Sequence, residues 1–144
     1  MIIGVPSEVK NNEFRVGLTP DSVQVIVSHG HTVFVQAEAG LSIGYTNDLY
    51  IKAGATILQS AAQIYSEAEL IIKVKEPIES EYQYLRNDLT LFTYLHLAGD
   101  PEKAKKLIST GVRAIAYETV TSADGSMPLL APMSAIAGQI SIVV

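Results

Sequence analysis

Apolar residues in this chain gather in short β-rich runs, separated by stretches where they recur every three or four positions. Met1–Pro6, Thr32–Gln36, Leu70–Lys75, Thr90–Leu95 and Val112–Tyr117 read as strands, and Thr56–Leu58 as a candidate sixth. The intervening stretches carry helix punctuation. Thr19 followed by Pro20 predicts an N-cap with proline at the first helical position, and the helix should run through Val23, Ile26 and Val27 to Gly30. Thr46 to Ala53, stopped by Gly54, repeats that plan. So does Pro101 to Ser109, with Asp100 as cap and Gly111 as terminator; Lys103, Lys105 and Lys106 are expected outside and Leu107 and Ile108 toward the core.

Strands alternating with helices predict an α/β fold, a Rossmann-like, doubly wound and mostly parallel sheet covered on both faces. A strand, Gly-x-Gly-x-x-Gly and a helix would mark a dinucleotide cradle, and the chain has no such motif. Gly40 and Gly44 frame Leu-Ser-Ile in what reads as a loop leading into the Thr46 helix. Charge vanishes from Gly125 onward, so residues 1–127 are expected to form one domain and 128–144 to begin a connecting helix. Pro128, Pro132, Ser134, Gln139 and Ser141 argue against a membrane span there, and the apolar end is expected to be a cut.

Composition narrows the class. With 144 residues, 48% hydrophobic and 17% charged, the chain suits a single globular domain. A net charge of −5 without basic runs argues against nucleic acid as a partner. The absence of cysteine excludes disulfides and thiolate chemistry, and His29, His31 and His96 show no metal-ligand spacing, so no metal is expected. Nothing at the N-terminus reads as a secretory signal, which points to the cytoplasm.

Ligands of open parallel sheets bind beyond the carboxyl ends of the strands. Polar residues collect there: Lys10 to Arg15, Lys75-Glu76-Pro77, His96 between two leucines, and Tyr117-Glu118-Thr119. Lys73 and Lys75 share one face of a strand that helices should cover, a costly place for lysine unless it is paired or binds a ligand. Lys75 reads either as a ligand-binding cation or as a partner of Glu76. Arg15 reads as a loop arginine or as a planar fork for a small carboxylate. His96 is a buried structural histidine or a proton carrier near neutral pH. His29 and His31, beside Gly30 at a helix end, carry no catalytic expectation.

Five ordered blocks resemble the alanine dehydrogenases over the whole chain: Lys10–Val16, Lys73–Pro77, Phe92–Ala98, Ala114–Thr119 and Leu130–Ser134. The resemblance implies NAD-dependent, reversible oxidative deamination of L-alanine to pyruvate and ammonium. It implies a homohexamer whose NAD lies mainly on a domain this chain lacks, and that the chain alone is inactive. By position, Arg15 and Lys75 become substrate-binding residues and His96 the catalytic proton donor and acceptor. Tyr94, Glu118 and Met133 become pocket-lining, and Ser134 a contact to the cofactor phosphates. Where the family continues after Ala137-Gly138 with an arginine-containing helix, this chain reads Gln139-Ile140-Ser141-Ile142-Val143-Val144. The Arg-Val-x-x-x-Pro start is also similar to the α subunit of proton-translocating transhydrogenase, an alternative reading. A binding module without catalysis is a third.

Overall fold

A computed structural model describes residues 1–142. Six strands, β1 (Ile2–Val5), β2 (Thr32–Gln36), β3 (Thr56–Leu58), β4 (Leu70–Ile72), β5 (Thr90–Thr93) and β6 (Arg113–Ala116), form one sheet in the order β3-β2-β1-β4-β5-β6. Every pairing is parallel. The chain moves outward from β1 in one direction through β2 and β3, then returns to place β4 on the other side of β1. The β1/β4 boundary is therefore the switch point at which such sheets open a crevice.

Among the described residues five α-helices connect and flank the strands: α1 (Pro20–Ser28), α2 (Asn47–Lys52), α3 (Ala61–Glu67), α4 (Pro101–Ser109) and α5 (Ala131–Ile140). The caps form as the sequence predicts. Thr19 accepts the amide of Ser22, Thr46 that of Leu49 and Asp100 that of Lys103. The helix α3 was not among the expected elements, although Ser60 and Gln63 form a capping box that marks its start. Its short span, Ala61–Glu67, leaves little room for an apolar period. One core cluster lies around Val23, Val33, Val35 and Tyr50, and a second around Ile64, Tyr65, Leu91 and Leu107. Gly4 lets α3 sit tightly on β1, because a Cβ there would lie 2.7 Å from Ile64 and 2.8 Å from Ile71.

Two expectations are corrected. Ile108 does not face the core: it is 76% exposed, while Leu107 is 4% exposed. Neighbouring helical residues point about 100° apart, so one position of the pair had to turn outward. β4 stops at Ile72 rather than Lys75, since the amides of Val74 and Lys75 leave the ladder for the carboxylate of Glu8.

Candidate functional site

The segment after β1 crosses the end of β4. Gly17 permits that crossing, because a Cβ on it would meet the Ile72 carbonyl oxygen at 2.4 Å. Arg15 is thereby held over the switch point. A cavity of about 470 Å³ opens there, with Arg15, Lys73, Tyr94, Tyr117, Leu129 and Met133 among its walls. α5 and the residues before it close one side: Leu129 accepts the Tyr94 hydroxyl through its carbonyl, and Met133 Sδ lies 3.8 Å from Arg15 Nη1. Phe92, Tyr94 and Tyr117 pack edge to face, with centroids 4.3 and 4.9 Å apart. Burial pushes the Tyr117 hydroxyl well above its ordinary pKa and raises that of Tyr94 despite nearby Arg15, so both phenols stay neutral donors at physiological pH.

Charge is tightly arranged around this cavity. Lys73, 1% exposed, pairs with Glu81 and lies 3.9 Å from Glu8. Glu81 also accepts from the Tyr65 hydroxyl at 3.0 Å and the Ile78 amide at 3.1 Å. Burial raises the Glu8 carboxyl above its usual value, and Lys73 opposes that rise. This buried network answers the cost of placing a lysine on a covered strand face. Lys75, two residues on, is half-buried. Glu76 pairs with Lys10 at 2.6 Å and stands 3.7 Å from Lys103, so the acid beside Lys75 is committed to other lysines.

His96 is exposed, which removes the reading of a buried structural histidine. It sits at φ 51°, ψ 36°, a left-handed conformation uncommon for residues with a side chain. Glu118 accepts its amide, and its ring lies stacked on Tyr94 with centroids 5.9 Å apart. Arg15, Tyr94 and Met133 thus share the cavity wall, whereas Lys75, His96, Glu118 and Ser134 stand outside it. Ser134 is exposed on α5. The alternation of Lys73 with Ile72 and Val74 marks it as a lysine that needs a partner or a ligand; it has the Glu81 partner and also a place on the cavity wall. Among the described residues no cluster of three acidic or histidine side chains is placed to hold a metal ion. None of their helices is long and apolar enough to cross a membrane.

An all-parallel sheet flanked by helices, with a cation-bearing cavity at its switch point, defines a Rossmann-like α/β fold. Residues 4–137 match the family described as Alanine dehydrogenase/PNT, N-terminal domain, and the chain belongs to that family. It is 51% identical over 142 residues to the alanine dehydrogenase of Methanococcus maripaludis, covering 99% of this chain and 38% of that one. Against the alanine dehydrogenase of Bacillus subtilis the identity is 53% over 141 residues, covering 98% and 37%. A solved L-alanine dehydrogenase superposes with a TM-score of 0.93 at 50% identity, covering 98% of this chain and 39% of that one. A transhydrogenase from Sinorhizobium meliloti gives 0.76 at 29% identity, covering 82% and 35%. The chain therefore spans less than two-fifths of the length of these relatives.

Proposed function

We propose that this chain is the substrate-holding part of an alanine dehydrogenase, acting in the reversible, NAD-dependent conversion of L-alanine to pyruvate and ammonium. The supporting observation is the Arg15 guanidinium on an aromatic-walled cavity at the switch point, in a chain about half identical to alanine dehydrogenases. Arg15 binds the carboxylate of alanine or pyruvate through paired N–H donors, which lysine cannot reproduce. Lys75 stands outside the cavity wall, yet near enough to act on the Glu13 carboxyl; it is proposed as a second cation at the rim that polarises the pyruvate carbonyl. His96 lies outside the wall but stacks on the wall residue Tyr94; from that rim it is proposed to carry the proton at the reacting carbon's oxygen or nitrogen, a role worth roughly a hundred- to ten-thousand-fold in rate. Tyr94, Glu118 and Met133 line or brace the site. The domain is proposed to end near residue 127, with 128–144 leading toward a nucleotide domain.

A dinucleotide pyrophosphate calls for a glycine-rich turn with free amides at a helix N-terminus. Among the described residues the turns after β1, β4 and β5 lead instead into Lys10, Lys75 and His96, with no glycine cluster at a helix start. These residues do not form a cofactor cradle. Ser134 offers one exposed hydroxyl toward the cofactor phosphates. Cytoplasmic location and a homohexamer belong to this proposal. Sedimentation analysis tests the assembly.

Titration of the purified chain with pyruvate tests the central reading: saturable binding that Arg15→Ala abolishes is expected, and equal binding by both proteins would refute it. The chain alone should produce no NADH from alanine and NAD, followed by absorbance; turnover would show that the cradle argument is wrong. The transhydrogenase reading has lower identity and poorer superposition behind it.

A further inference from the structure

Arg15 is gripped before any ligand arrives. Glu13 Oε1 accepts from Arg15 Nε at 2.7 Å and from the Arg15 amide at 3.0 Å, while Oε2 accepts from Nη2 at 2.6 Å. This is a side-on, two-point pair, and it uses the Nε/Nη2 edge of the guanidinium. The other edge, formed by Nη1 and the second N–H of Nη2, has no oxygen acceptor among the described residues; its one partner there is the weak acceptor Met133 Sδ. Nη1 lies 3.8 Å from Met133 Sδ, which shares the cavity wall with Arg15. A guanidinium has five donors in a rigid plane, so fixing one edge fixes the direction of the other.

The local chain is shaped for this grip. Asn12 takes the left-handed conformation at φ 61°, one that asparagine tolerates better than most residues. The Glu13 amide donates to the Lys10 carbonyl at 3.1 Å, closing the turn. That turn folds the Glu13 side chain inward to 8% exposure, while Arg15 remains 44% exposed. A half-exposed arginine would otherwise sample many rotamers, and ordering it would weaken binding.

We infer that Glu13 is a positioning residue, which holds Arg15 by its Nε/Nη2 edge so that the end-on edge meets a ligand carboxylate in the cavity. The inference rests on the proposed reading of Arg15 as the carboxylate clamp. A ligand carboxylate then has no need to displace Glu13, because the two anions use different edges. Glu13 also leaves the site with a smaller net positive charge than Arg15 and Lys75 alone would give.

The test uses the 144-residue chain with pyruvate and its uncharged amide as probes, in the parent and in the Glu13→Gln, Glu13→Ala and Arg15→Ala variants. Circular dichroism checks the fold of each, and the Arg15 Nε–Hε signal in ¹⁵N NMR reports the grip directly. Glu13→Ala should weaken pyruvate binding about tenfold or more, Glu13→Gln less, the amide should change little, and the Nε–Hε signal should shift and exchange faster. Equal or tighter pyruvate binding by Glu13→Ala, with Arg15→Ala still defective, would overturn the positioning role and leave the clamp reading standing. Tighter binding would mean that Glu13 competes with the ligand. If Arg15→Ala binds pyruvate as the parent does, the clamp reading fails, and the positioning role falls with it. An unmoved Nε–Hε signal in Glu13→Ala overturns the inference whatever the affinities.

Discussion

Glu118 Oε1 accepts the backbone amide of His96 at 2.7 Å, and the same carboxylate accepts the amide of Leu95 from 3.1 and 3.2 Å. The turn after β6 thus holds the turn after β5. His96 stays in its left-handed conformation because its amide, pointing away from the ladder, meets this acceptor. Glu118→Ala should lose both bonds, costing about 1–3 kcal/mol. Amide hydrogen exchange at Leu95 and His96 is the measurement; protection equal to the parent's would show that Glu118 does not hold the turn.

Lys73 stands between Glu8 and Glu81 with almost no access to solvent. Removing it in Lys73→Met leaves carboxylates buried without their cation, a loss on the order of 3–5 kcal/mol. Replacing the members together by apolar residues should cost much less. Urea unfolding of the single and combined variants decides this, and a Lys73→Met protein as stable as the parent would contradict the ion-pair account.

Gly17 has no room for a side chain against the Ile72 carbonyl. Gly17→Ala must push the Arg15 segment off β4, so a clear loss of pyruvate affinity is expected together with a stability loss of about 1–3 kcal/mol. Ile108→Lys is the contrasting case. At 76% exposure its effect should stay within about 0.5 kcal/mol, read from thermal unfolding.

Glu13 has a pKa below the usual 4.5, first through its side-chain hydrogen bond with Arg15, with the Lys75 charge contributing. A carboxyl with a depressed folded-state value adds stability that is complete above the ordinary value and disappears as pH falls through the lowered one. The stability difference between the parent and Glu13→Gln should therefore be constant from neutrality down to about pH 4.5. It should shrink in more acidic solution. Urea titrations across that range test the sign; a difference that grows on acidification would reverse it.

The order of the strands and of α1, α2 and α4 was legible because local chemistry controls it. Alternating apolar runs, Thr19-Pro20, Thr46 and Asp100 each act within a few residues, and the β2 and β3 bounds agree with the sequence reading. The strand-end rule pointed to Arg15, Lys75 and His96, of which Arg15 lies on the cavity wall. What the chain's pattern could not hold were relationships between distant residues. Glu8 captures the amides of Val74 and Lys75, Glu81 claims Lys73, and Met133 from α5 comes to rest beside Arg15. Nor could spacing say that Ile108 would face water or that Lys73, rather than Lys75, would form part of the cavity wall. Periodicity records which neighbours share a face, whereas burial and pairing depend on which segments the parallel sheet brings together at its switch point.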